Sequence, residues 1–297
     1  MKTRHLLDID RLDDHDIERV LDRACALASG EAPSRMAHTV ANLFYEPSTR
    51  TRVSFELAAG RLGMRVINIE LERSSASKGE TLEDTVATLS AMGVDSVVVR
   101  HPESHRVARL AQAAAGVHLI NAGDGSNAHP SQALLDAATL RLRGIKPAGL
   151  KLAIVGDIRH SRVAGSALRL WQRLGAAEIR LAGPASLLPE TPPPAAQLYG
   201  NLEDAVRDVD VVMMLRVQHE RMDRVAWPDR TAYGSDWGLS EARLAQAAPG
   251  CLVMHPGPIN RGMEIDSAVA DGERSLILEQ VKMGMFTRMA IFEWLFG

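Results

Sequence analysis

Helix-like and strand-like segments alternate along almost the whole chain, and this order constrains the fold more than any other feature. The charged amphipathic stretch Asp13 to Ser29 reads as a helix. A strand from His38 to Tyr45 follows, then a helix that opens near Ser48 and closes around Gly63. Next come a strand at Arg65 to Ile69, a loop of small polar residues from Arg73 to Gly79 and a helix from Glu80. Asp95 to Val99 is a short apolar run bounded by Gly93 and Pro102, the pattern of a buried strand. Gly116 ends the following helix, Val117 to Asn121 is a further strand, and Ser131 to Leu142 a further helix. Such repetition predicts a parallel sheet with helices on its faces.

The run Arg143-Gly-Ile-Lys-Pro-Ala-Gly149 collects two glycines and a proline and reads as a domain boundary. A second series begins beyond it: strand Leu150 to Val155, helix Ser161 to Leu174 and strand Glu178 to Leu181. Five prolines make Gly183 to Pro194 an extended loop, and strands recur at Val209 to Leu215 and Cys251 to Met254. His219 to Gly238, long and rich in charge and aromatics, reads as a moving loop, and Ser275 to Leu295 as a closing helix. The expected architecture is α/β with two domains, each a parallel sheet flanked by helices, and the active site in the interdomain cleft. The first domain covers residues 1–142, completed by the C-terminal helix over about 280–297; the second covers 150–279.

Composition removes several function classes. Thirty-four basic against 37 acidic residues give a net charge of −3, so no basic excess exists to neutralise a nucleic-acid backbone. Any anion must be gripped locally. Cys25 and Cys251 stand in no metal-ligand spacing, which predicts neither a disulfide framework nor a metal site. Lys2, Arg4, Asp8, Asp10 and Arg11 break up any signal-peptide core, and no apolar run approaches the ~18 residues of a membrane span.

In open parallel sheets ligands collect beyond the carboxyl ends of the strands, and the unusual polar clusters fall there. Phe44-Tyr-Glu-Pro-Ser-Thr-Arg-Thr-Arg52 follows a strand and opens a helix. A helix start already favours an anion through its orphan N–H groups and dipole. Ser48, Thr49, Arg50, Thr51 and Arg52 add hydroxyls and guanidinium groups, a set suited to a phosphate or phosphonate dianion. Ser74 to Thr81 holds Lys78, one of five lysines against twenty-nine arginines. It reads either as a solvated loop or as one that carries an ammonium into a site. Arg100 ends a buried strand, where a guanidinium can polarise a carbonyl or simply form an ion pair. His129 and Gln132 lie one helical turn apart and could both donate to a small carbonyl-bearing ligand.

The second half repeats the arrangement. Gly156-Asp-Ile lacks the second glycine of the dinucleotide fingerprint, which disfavours a nucleotide fold and leaves a basic helix start with Arg162. Arg216 and Gln218 follow the next strand on alternate positions, and two forked guanidinium groups fit the two carboxylates of a diacid. The rigid His255-Pro-Gly-Pro258 could present carbonyl oxygens to an amine or amide. No cluster demands a covalent or metal mechanism, so direct transfer between two bound substrates is the economical reading.

Ser48-Thr-Arg-Thr-Arg52, Lys78-Gly-Glu-Thr81, His129-Pro-Ser-Gln132, Arg216-Val-Gln218 and His255-Pro-Gly-Pro258 together resemble the signature segments of the transcarbamoylases, in that family's order and across nearly the whole chain. The last two resemble the aspartate branch; the ornithine branch is expected to carry a cysteine-bearing segment in place of His255-Pro-Gly-Pro258. The resemblance implies carbamoyl transfer from carbamoyl phosphate to L-aspartate, giving N-carbamoyl-L-aspartate and phosphate for pyrimidine synthesis, with no cofactor. It implies phosphate contacts from Ser48, Thr49, Arg50 and Thr51, and carbamoyl contacts from Arg100, His129 and Gln132. Aspartate would meet Arg162, Arg216 and Gln218, with Gly257 and Pro258 near its amine. It further implies a cytoplasmic homotrimer whose sites borrow Ser74 and Lys78 from the neighbouring chain, and it allows for a regulatory chain or a dihydroorotase-like partner. Glu46 is expected to pair with Arg162 or Arg221 when the domains approach. Two rival readings are a carbamoyltransferase with another amino acceptor and a catalytically silent scaffold subunit.

Overall fold

Ile17, Val20, Leu21, Ala24 and Leu27 fall on one helical stripe, and all five are buried in α1 (Asp14–Ala28). Asp13 caps this helix, its carboxylate accepting the Asp16 N–H at 2.6 Å. The computed structural model describes residues 3–70, 79–114, 116–218 and 229–297. They divide into two units, Met1–Ala138 with Val281–Gly297, and Thr139–Gln280.

In the first unit, α1 is followed by β1 (Thr39–Phe44), α2 (Thr49–Arg61), β2 (Arg65–Ile69), α3 (Leu82–Ala91), β3 (Ser96–His101), α4 (Arg106–Ala113), β4 (His118–Asp124) and α5 (Pro130–Leu142). The four strands are parallel, in the order β2-β1-β3-β4. Val97, Val98 and Val99 are all fully buried, as a strand covered on both faces requires. Leu6 extends the pairing: its N–H donates to Leu119 O at 2.9 Å and its carbonyl accepts Asn121 N–H at 2.8 Å.

The second unit contains β5 (Lys151–Val155), α6 (Arg162–Arg173), β6 (Glu178–Ala182), β7 (Ala196–Tyr199), α7 (Leu202–Val206), β8 (Val211–Met214), α8 (Arg230–Trp237), α9 (Glu241–Leu244), β9 (Leu252–Met254), α10 (Ser267–Ala270) and the start of α11 (Ile277–Phe296). Its five strands are parallel, in the order β7-β6-β5-β8-β9. The unit boundaries fall inside α5, after Ala138, and inside α11, after Gln280, so each of these helices begins in one unit and ends in the other.

Both sheets reverse their winding at one strand. From β1 the chain winds to β2 on one side and resumes with β3 on the other. From β5 it winds to β6 and β7, then resumes with β8 on the opposite side. Adjacent loops leave in opposite directions at such a point and open a crevice beyond the strand ends. The first crevice lies at the ends of β1 and β3, and the second at the ends of β5 and β8.

Two local expectations are corrected. The segment expected as loop up to Gly238 is helical over α8, with the Asp229 carboxylate accepting Thr231 and Ala232 N–H at 3.0 and 2.9 Å. Its glycines serve close packing rather than flexibility: a Cβ on Gly238 would meet Met263 O at 2.8 Å. The strand β7 and helix α7 were also not anticipated, since four residues after a triple proline carry no clear alternation.

Candidate active site

At the first crevice, Ser48 occupies the N-cap position of α2 with extended backbone, yet its side chain makes no capping bond. Ser161, in the same position on α6, accepts Ala164 N–H at 3.2 Å. Ser48 therefore keeps its hydroxyl for the mouth of the helix. Thr49, Arg50 and Arg52 are exposed there, while Thr51 is buried on the inner face of the first turn. Two arginines in a first turn with no acidic residue oppose the helix dipole, an arrangement that a bound dianion would reverse.

Arg100 reaches the same crevice from β3, where it pairs in register with Phe44 and its carbonyl accepts Tyr45 N–H at 2.9 Å. Its Nε lies 3.3 Å from the Glu46 carboxylate, and its Nη1 donates to Ala122 O at 3.4 Å. Of the two sequence readings for Arg100, the ion pair is thus present, and the guanidinium also stands at the strand ends. Next to it, burial and then the charge of Arg106 push the His101 imidazole below its usual range, and burial pushes the Tyr45 phenol above its own.

The loop from β4 to α5 is shaped by a fully buried carboxylate. Asp124 accepts Asn121 Nδ2 at 2.9 Å, Ala128 N–H at 3.2 Å and Asn127 Nδ2 at 3.1 Å. Gly125 is required beside it, because a Cβ there would meet Ser104 N at 2.5 Å. The loop delivers His129, 4% exposed, just ahead of Pro130, the first residue of the helix. One turn on, Gln132 is buried and its Nε2 donates to Asp136 Oδ1 at 2.9 Å.

At the second crevice, Gly156 adopts φ +126°, and a Cβ there would meet Leu215 O at 2.6 Å. Its glycine permits close strand approach rather than phosphate binding. The fully buried Asp157 accepts the His160 N–H at 3.1 Å, lies 2.9 Å from His160 Nδ1, and takes the Gln218 N–H on its other oxygen at 3.2 Å. That carboxylate ties the loop after β5 to the loop after β8. Arg162 begins α6 and is only 3% exposed. β8 ends at Met214, but the alternation continues past it: Val217 is buried, while Arg216 and Gln218 are half-buried.

Beyond β9, His255 is buried and its N–H donates to Gln280 Oε1 at 2.9 Å. Its Nδ1 accepts Gly257 N–H at 2.8 Å, and its Nε2 lies 3.3 Å from Glu264 Oε1. An acceptor Nδ1 leaves the proton on Nε2, facing that carboxylate. These bonds hold the half-buried Gly257 and the exposed Pro258 in a fixed turn with a cis bond between them.

Ser48, Thr49, Arg50, Thr51, Arg100, His129 and Gln132 thus belong to the first unit, and Arg162, Arg216, Gln218, Gly257 and Pro258 to the second. Ser74, Lys78 and Arg221 lie outside the described residues. Sequence reasoning missed the buried carboxylates Asp124, Asp136, Asp157 and Glu264. The only available signals were Gly156-Asp157 directly after a strand and the i,i+4 spacing of Gln132 and Asp136 on one helix.

Comparison with known proteins gives concordant matches. Residues 4–142 match the model of the aspartate/ornithine carbamoyltransferase carbamoyl-P binding domain, and residues 148–295 that of the Asp/Orn binding domain. The aspartate carbamoyltransferase catalytic subunit of Xanthomonas campestris pv. campestris is 50% identical over 305 residues, spanning 100% of this chain and 97% of its own. Aspartate transcarbamoylase from Trypanosoma cruzi in complex with N-(phosphonacetyl)-L-aspartic acid superposes with a TM-score of 0.88 at 30% identity, covering 99% of this chain and 95% of that one. Ornithine carbamoyltransferase from Pyrococcus furiosus superposes with a TM-score of 0.87 at 28% identity, over 98% and 96% of the two chains.

Proposed function

The chain belongs to the aspartate/ornithine carbamoyltransferase family, and we propose that it uses the side chains of its two crevices to carry the carbamoyl group of carbamoyl phosphate to the amino group of L-aspartate. The products are N-carbamoyl-L-aspartate and phosphate. The observation that supports this reading is that each sheet reverses its winding at the strand ends where one set of basic and polar side chains emerges.

In this reading Ser48, Thr49, Arg50 and Thr51 hold the phosphate at the start of α2, using backbone N–H groups, hydroxyls and the Arg50 guanidinium. Arg100 and His129 donate to the carbamoyl oxygen, and Gln132 meets the carbamoyl amide. Arg162, Arg216 and Gln218 take the two carboxylates of aspartate, and the Gly257–Pro258 turn offers backbone carbonyls to its amine. The amine attacks the carbamoyl carbon, a C–N bond forms, and the C–O bond to phosphate breaks. Negative charge develops on the carbamoyl oxygen, where Arg100 and His129 stabilise it. Orientation of two bound reactants supplies much of the rate, and the leaving phosphate takes the proton from the amine. Lys78 and Ser74 complete the site from a neighbouring chain in a cytoplasmic homotrimer, and the product feeds pyrimidine synthesis.

Carbamoyl transfer assayed with aspartate and with ornithine, alongside the mass in solution, tests this reading. Turnover with aspartate and a mass of three chains are expected; a mass above that reveals a regulatory or dihydroorotase-like partner. Turnover with another amine and none with aspartate overturns the acceptor assignment. Absence of heat on titration with a phosphonate-dicarboxylate bisubstrate analogue would make the chain a silent scaffold.

A further inference from the structure

Arg288 on α11 is 3% exposed, and Asp136 on α5 is fully buried. Burial pushes the Arg288 guanidinium down to about 10, and the negative charge of Asp136 works against that shift. The guanidinium is built in. Its Nη1 donates to Gly284 O at 2.8 Å, its Nη2 donates to Ser131 Oγ at 3.5 Å, and its centre lies 4.8 Å from the Phe55 ring centroid. Gly284 leaves room for it, since a Cβ there would stand 2.7 Å from Nη1. Phe55 and Thr51 share one face of α2, and Ser131 precedes Gln132 on α5, so one buried cation braces both helices whose first turns carry the donor-side residues.

Asp136 in turn takes one N–H of the Gln132 side chain at 2.9 Å. A carboxylate only accepts, so the Gln132 amide must turn its NH2 toward Asp136 and its carbonyl oxygen elsewhere. We propose that the buried Asp136 is a positioning residue that fixes the polarity of Gln132, making its carbonyl oxygen the acceptor that recognises the NH2 of a carbamoyl donor. This inference rests on the proposed carbamoyl transfer and adds to it a reason for donor selectivity. A donor with a methyl group in place of that NH2, such as acetyl phosphate, leaves the Gln132 oxygen unpaired. A site built around a hydrogen bond rejects such an analogue strongly. Without Asp136 the amide can rotate, and its NH2 end tolerates either group.

The test compares the inhibition constant of acetyl phosphate with the KM of carbamoyl phosphate in wild type, Asp136→Asn, Gln132→Ala and the double variant. Asp136→Asn is expected to narrow the preference for the carbamoyl donor by about tenfold, with the KM for aspartate and inhibition by inorganic phosphate within about twofold of wild type. In the Gln132→Ala background the same change should narrow it no further, because Asp136 acts through Gln132. Equal weakening of both donors by Asp136→Asn, or effects that multiply in the double variant, would overturn the inference. Should Asp136→Asn fail to fold, Asp136→Asn/Arg288→Met leaves no buried charge unpaired and is expected to narrow the preference in the same way. A wild-type chain that transfers no carbamoyl group overturns the functional reading itself, whereas an active wild type with unchanged selectivity in the variants overturns only the polarity device.

Discussion

The fully buried carboxylate of Asp157 accepts the backbone N–H of the half-buried Gln218 across 61 positions of sequence, at 3.2 Å. One oxygen thereby sets where the segment after β8 leaves the sheet, while the other holds the His160 N–H ahead of Arg162. Asp157→Ala is expected to raise the KM for aspartate roughly tenfold through misplacement of both segments. The KM for carbamoyl phosphate should stay unchanged. Stranding the two donors should also lower stability by about 1–3 kcal/mol. Steady-state kinetics and urea titration separate the two effects; an unchanged KM for aspartate refutes the positioning role.

Arg50 gives the opposite profile, because it is exposed and lies at the start of α2. Arg50→Ala is expected to cost about 10²–10³ in kcat, as loss of one strong donor to a developing charge does. Its unfolding free energy should stay within about 0.5 kcal/mol of wild type. A large fall in stability with kcat preserved would mean that Arg50 is a structural residue.

Gly156→Ala addresses the fold alone. The left-handed φ of +126° and the 2.6 Å approach of Leu215 O leave no place for a methyl group. The substitution is expected to destabilise the chain by about 2–3 kcal/mol, read from the shift in urea midpoint. A midpoint equal to wild type would show that the two strand ends can separate at little cost.

A fourth prediction concerns pH. His5 Nδ1 accepts the Leu119 N–H at 3.1 Å, a bond that the protonated imidazole cannot make. Burial first, and then the neighbouring His118, hold the His5 pKa below its ordinary 6.5. The unfolded chain therefore binds more protons than the folded one as pH falls through 6.5, and stability present above that value declines below it. His118, also pushed down mainly by burial, contributes in the same direction. Asn at position 5 offers an oxygen at similar reach and does not titrate. Denaturant midpoints between about pH 7 and 5 should fall less steeply for His5→Asn than for wild type; parallel slopes would exclude His5 as a contributor.

How much of this was legible in the sequence depended on whether a residue announced its partner. Arg50 and Arg52 stand out because two cations in the first turn of a helix run against its dipole and point to an anion there. Arg216 and Gln218 stand out through an alternation of burial that outlasts the strand itself. The buried acids could not. Asp157 reads as an ordinary turn residue until Gln218 arrives from a distant segment, and Asp136 as a solvated helix position until α11 brings Arg288. Hydrophobic periodicity found most of the regular elements. It missed β7, a four-residue edge strand after a triple proline, and α8, whose charge and aromatics read as loop. In both cases the deciding contacts are tertiary, and local pattern carries no trace of them.

The reversal of winding at β1 and again at β5 has a consequence for how such a chain can diversify. The groups that would grip the phosphorylated reactant come from positions 48–132, and those of the second unit that would grip the amine-bearing one from positions 162–258. Each group sits at strand ends, in the first turns of helices or on the loops between them, beyond a sheet most of whose hydrogen-bonded frame does not depend on their identity. Drift among the later loops can therefore exchange one amino acid for another as co-reactant while the machinery for the activated carbonyl is inherited intact.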